Sequence, residues 1–177
     1  MTIGDLASLL VALATTGSLI YVSRQVNVSR RQAKGQFLLA LDAQFEKFNN
    51  VSMRLWTEKD FVPQGLEWKE IWGLMSVFER INIMVEDKIL DVPMVDRLHG
   101  FRLMGILSND AVFHRVQAAG SEWQDFIDLC YAIADHRHQP NMSPEEKLFI
   151  GRVHQLTKTT RSRNPFGFET SNTPTNS

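Results

Sequence analysis

The chain is short of the residues that most often announce chemistry. It has one cysteine, Cys130, so no intrachain disulfide can form, and a lone thiol in apolar helical sequence reads as a small core residue rather than a nucleophile. It has no Walker-type loop, no Gly-x-Ser-x-Gly elbow, no His-Glu-x-x-His and no dinucleotide fingerprint, which removes the usual signatures of phosphate, serine-hydrolase, zinc-protease and NAD chemistry. No segment alternates convincingly as a strand, and no internal repeat occurs. No Lys or Arg stands ahead of the first apolar run, which argues against a secretory leader.

What is present is a chain of 177 residues, 44% apolar and 22% charged, long enough to bury a core without disulfides or a structural metal. The net charge of −1 conceals a segregation by sign. Arg24, Arg30, Arg31 and Lys34 form a basic run with no acid, and Lys147, Arg152, Lys158, Arg161 and Arg163 form another. Residues 42–146 carry 18 acidic side chains against 10 basic ones. An acidic body, and basic runs without interleaved aromatics, disfavour nucleic acid as a partner.

Leu6–Ser23 is an uncharged stretch of 18 residues, close to the roughly 20 that a helix needs to cross the hydrocarbon core. Basic residues follow it and do not precede it, so the positive-inside bias puts the N-terminus outside and the remaining chain in the cytoplasm, as in a single-pass inner-membrane protein. Two alternatives stay open: a cleavable signal peptide ending near Ala12-Leu13-Ala14, and a buried core helix. Gly4, Ser8, Ala12 and Thr16 recur every four residues, a spacing that lets membrane helices approach closely and self-associate.

The fold class expected is all-α: one N-terminal transmembrane helix over residues 1–23 running into a four- to five-helix cytoplasmic bundle over 24–163, with a disordered tail over 164–177. Leu38, Leu41, Phe45, Phe48 and Leu55 continue the first helix in one pattern without a breaker. Leu66 to about Ile89 is the second helix, with Leu74, Phe78, Ile81 and Val85 on one face. Asp91 caps a third, with Pro93 in its first turn, reaching at least Leu107; the pattern leaves open whether Ser108-Asn109-Asp110 breaks it before Gly120. Ser121 and Gln124 read as a capping box ahead of Trp123, Phe126, Ile127, Cys130 and Ala134. Ser143-Pro144-Glu145-Glu146 opens a last helix that buries Leu148, Phe149, Val153 and Leu156.

Arg24-Gln25, Arg30-Arg31-Gln32 and Gln36, then Phe78-Glu79-Arg80-Ile81 and the Ile89-Leu90-Asp91 turn, resemble a family of uncharacterised bacterial proteins. That family has a membrane span, a basic Gln-containing juxtamembrane helix and a small helical cytoplasmic domain. The resemblance covers roughly residues 6–110 and implies this topology, with no activity attached.

Side chains that could carry chemistry have bland readings beside them. Asp135-His136-Arg137-His138 is the densest ligand cluster, but histidines two apart on a helix point about 200° from each other, and cationic groups at a helix C-terminus complement its carbonyls. Asp96-Arg97-Leu98-His99 reads as a solvated face, as do Glu79, Glu86 and Asp87. No catalytic, cofactor or metal residue is assigned. The leading expectation is a membrane-anchored interaction or sensor module presenting an acidic, Trp-bearing surface, with the bilayer and a protein partner or a second copy as partners. The alternatives are a tethered hydrolase using carboxylates with His136 or His138, and a bilayer-acting defence or toxin-type effector. Arg24, Arg30, Arg31, Lys34, Lys158, Arg161 and Arg163 are expected to contact the membrane surface.

Overall fold

The computed structural model describes the backbone of residues 3–58, 60–137 and 141–163, and their side chains except those of residues 3–14, 16–17, 19–20, 27, 30 and 160–163. The described residues are helical and form no strand. The chain divides into two compact units, Met1–Ala43 and Gln44–Ser177.

The first unit is carried by α1, Ile3–Glu46, a 44-residue helix whose sequence contains no proline. Among the described residues, no helix is long and apolar enough to cross a membrane. Most side chains of the expected span, Leu6–Ser23, lie outside the described set, as does the whole expected tail, 164–177.

The seam of Leu38, Leu41, Phe45, Phe48 and Leu55 does not run along one helix. α1 ends at Glu46, and α2 spans Asn49–Thr57 after a tight turn in which the Phe48 amide donates to the Phe45 carbonyl at 3.0 Å. The break lets Phe48 lie on the backbone of α3, Leu66–Glu86, where a Cβ on Gly73 would stand only 2.7 Å from its ring. Any larger residue at that crossing would force the Phe48 ring to move. Leu41, Phe45 and Leu55 are buried as the spacing implies, although they belong to two helices.

α4, Val92–Ser108, is the inner helix and packs against α2, α3 and three later elements: α5 (Asp110–Ala119), α6 (Gln124–His136) and α7 (Pro144–Arg163). Its last turns, Leu103 to Leu107, are buried all round, the pattern of a helix enclosed by neighbours. Phe78 of α3 sits between Phe45 and Phe126, with ring centroids at 5.0 and 6.3 Å. Fully buried aromatics of this kind each contribute about 1.5–3 kcal/mol through removal from water.

The helix signals read from sequence fare unevenly. Asp91 caps α4 by accepting from the Met94 amide at 2.9 Å. Ser143 and Glu146 form the reciprocal capping box, the Ser143 amide donating to Glu146 Oε2 at 2.8 Å and the Glu146 amide to Ser143 Oγ at 3.2 Å. The expected box at Ser121 and Gln124 does not form. A 3-10 turn occupies Gly120–Trp123, and the Gln124 amide group reaches forward to Asp128 at 2.7 Å. Leu148 is 44% exposed, not buried, because α7 turns Phe149, Ile150, Val153 and Leu156 inward.

Candidate functional site

The Ser108-Asn109-Asp110 triplet breaks the helical pattern and thereby shapes a half-apolar groove in the Gln44–Ser177 unit. Asn109 leaves helical geometry, and its side-chain oxygen caps α5 by accepting from the Val112 amide at 3.1 Å. Its Nδ2 donates to the Phe61 carbonyl at 2.7 Å, 48 residues back in the chain. One buried side chain thus ends α4, starts α5 and fixes the loop after α2. On the other side of the break, Arg152 of α7 donates to the Leu107 carbonyl at 2.6 Å and pairs with Asp110. A helix end without its own partners is satisfied from the neighbouring helix.

The groove encloses about 880 Å³ between α2, the α4–α5 junction and the start of α7. Leu55 and Met104 line it with the half-exposed Trp56 (42%) and Leu148 (44%). Gly105 brings the α4 backbone against Trp56, where a Cβ would meet the indole at 3.5 Å. Asp60, Asp110, Glu145 and Glu146 supply negative charge against Arg152 alone. Arg152 is committed to Asp110, and Glu146 to Arg137, so among the described residues that line the groove no cation is left for Asp60 and Glu145. Ser108 Oγ in the wall is buried with no hydrogen-bond partner among the described residues.

Arg137 pins the α7 end of this groove. It was expected to complement the carbonyls of its own helix, but its Nε donates to Asp96 Oδ1 at 2.6 Å and its Nη1 to Glu146 Oε1 at 3.2 Å. Only 18% of the Arg137 side chain and 11% of Asp96 are exposed. Gly100 leaves the room for this contact, since a Cβ there would collide with Asp96 Oδ1 and stand 2.8 Å from the guanidinium. Arg97 and Leu98 are exposed, as a solvated face implies, but Asp96 is tied up in this contact and His99 is buried with its ring 4.3 Å from that of Phe45. Both residues sit on the inner helix of the bundle, where an exposed reading from local spacing fails.

A second aromatic surface joins α3 to α5. Trp68 and Trp72 face each other at 6.5 Å, and the Arg115 guanidinium lies 4.3 and 5.0 Å from their rings. Their four-residue spacing is legible in the sequence, whereas the arginine over them, 43 residues beyond Trp72, is not.

The carboxylates considered for paired chemistry do not pair with each other. Glu86 accepts from Asn82 at 3.0 Å. Burial pushes the Glu79 carboxyl above the usual carboxylate range, aided by the charge of Asp125. Because the fold favours protonated Glu79, stability falls as pH rises from the ordinary carboxylate range through the raised value, and the cost persists at neutrality. Glu79→Gln should therefore raise the urea midpoint at pH 7, with the gain over the parent vanishing below about pH 4. An equal gain at both pH values would trace the effect to packing instead.

Cys130 is fully buried, and burial holds its thiol well above its ordinary range, so it is no nucleophile. His136 is exposed at the end of α6 and His138 lies outside the described residues; no three His, Cys, Asp or Glu converge as metal ligands among those described. Of the expected membrane-contact residues, Arg24, Arg31 and Lys158 are exposed and Lys34 is half-buried. The side chains of Arg30, Arg161 and Arg163 lie outside the described set. The chain has been compared with protein-family models, curated proteins and solved structures, and none of them matches it.

Proposed function

We propose that the chain is a membrane-tethered interaction module that receives a cationic amphipathic helix of a partner protein in the groove beside Trp56. The observation that carries this reading is the groove's composition: apolar Leu55, Met104, Trp56 and Leu148, with Asp60 and Glu145 not paired to the one basic residue, Arg152, that lines it among the described residues. An apolar stripe would dock against the Trp56 and Leu148 side chains, and flanking Lys or Arg would find the two carboxylates. A free small cation would gain little from the apolar half. The tether is the uncharged Leu6–Ser23 stretch, with the basic run from Arg24 to Lys34 holding the cytoplasmic side, in line with the resemblance to anchored bacterial helical proteins.

A photo-crosslinking amino acid in place of Trp56, in the full chain in native membranes, tests the docking. The expected adduct maps to an apolar residue flanked by Lys or Arg, and it is lost on Asp60→Lys with Glu145→Lys. Adducts to lipid alone, to acidic segments, or unaffected by the charge reversal would overturn the reading. A reporter fused after Ser177 tests the tether separately, and activity outside the cytoplasm would sink that half.

A further inference from the structure

We infer that α1 pairs with α1 of a second copy of this chain, in parallel, through the face opposite its basic residues. With Val22 taken as heptad position a, the basic residues and the exposed large apolar residues of α1 between Ser18 and Ala40 fall on different faces. Its exposed large apolar side chains, Tyr21, Val22, Val26, Val28 and Leu39, fall at g, a, e, g and d. Arg24, Arg30, Arg31 and Lys34 fall at c, b, c and f, so all the basic residues of this run lie on the other half of the helix. From Ser18 to Ala40 no charged residue occupies a, d, e or g.

This sorting leaves an uncharged strip along α1 from Ser18 to Ala40 on which a second helix can approach without meeting a charge. Val22 is 53% and Leu39 71% exposed, and a shallow groove runs along the same face between Val22 and Ala33.

A second copy suits this face better than a charged partner would. Uncharged e and g positions bring no like-charge repulsion between copies, and Gln25 and Gln32 at d can hydrogen-bond to their own counterparts across a two-fold axis. With so few large apolar residues at a and d the pairing is weak for free helices, and confinement to one membrane supplies the effective concentration it needs. The parallel order rests on the membrane-tether reading, which puts both N-termini on one side.

The test is cysteine scanning of the full chain in membranes under mild oxidation, with buried Cys130 as the native background. Same-position disulfides are expected for Val22→Cys, Gln25→Cys, Ser29→Cys, Gln32→Cys and Gln36→Cys, with little or none for Arg24→Cys, Asn27→Cys, Arg31→Cys and Lys34→Cys. Val22→Lys with Val26→Lys should abolish the dimer. Uniform crosslinking, the opposite phase, or bonding at only one end of the segment, as an antiparallel pair would give, overturns the inference. So does a dimer that survives both lysines. The docking groove takes no part in this readout, so a monomeric chain that still captures a basic segment at position 56 would refute the pairing and leave docking intact.

Discussion

Asn109→Ala is expected to lower the unfolding free energy of the helical domain by about 2–4 kcal/mol, more than the loss of an ordinary helix cap. Two bonds are lost at once. The cap on the Val112 amide is worth about 1 kcal/mol, and the Phe61 carbonyl is left in a buried setting without its donor, a further cost of about 1–3 kcal/mol. Asn109→Ser separates the two, because its hydroxyl can cap α5 but is too short to reach the loop. The expected order of stability in urea is parent, then Ser, then Ala, with unchanged dependence on denaturant. If Ser and Ala are equally destabilised, the bond to Phe61 accounts for the whole effect and the cap for none.

Asn109 also marks the limit of what could be read in the sequence. Features that depend on neighbours three or four residues away are legible: the Asp91 cap, the Ser143–Glu146 box, and the burial of Leu74, Phe78, Ile81, Phe126 and Phe149. Features set by remote partners are not. The triplet at 108–110 is rich in cap-forming side chains, yet continuation of the helix stayed open because Phe61 and Arg152, which satisfy the broken ends, lie 48 and 45 residues from their partners. The break after Glu46 is invisible for the same reason, since the apolar spacing is kept while Phe48 finds Gly73 on another helix.

The candidate groove shows the same division. The excess of acid over residues 42–146 is legible as composition, whereas Trp56 and the groove's location are not; the aromatic pair that spacing picks out is Trp68 and Trp72 on α3. Leu148 belongs to the apolar pattern of α7 by spacing, but α7 offers one residue more than its buried face accommodates, and the surplus becomes the groove wall. Local sequence makes Arg137 a helix-end cation because its carboxylate partners lie 41 residues before it and nine after it.

Arg137→Met should cost a comparable amount, about 2–3 kcal/mol, toward the lower side of what breaking a buried ion pair incurs because Glu146 keeps some solvent. Methionine fills much of the volume beside Met104, so the loss reads the charge rather than a cavity. Asp96, largely buried, is left without its guanidinium, while Glu146 retains the Ser143 amide on its other oxygen. Adding Asp96→Leu removes the stranded carboxylate, so the double variant should be more stable than Arg137→Met alone. The measurement is a double-mutant cycle in urea on the full chain. Equal stability of the double and single variants would mean that Asp96 keeps its solvation without Arg137. Because Glu146 ties this clasp to the first turn of α7, the turn that carries Glu145, the single variant should also weaken crosslinking from position 56. Asp96→Leu should restore stability without restoring that crosslink fully, since the guanidinium that fixes Glu146 is still missing.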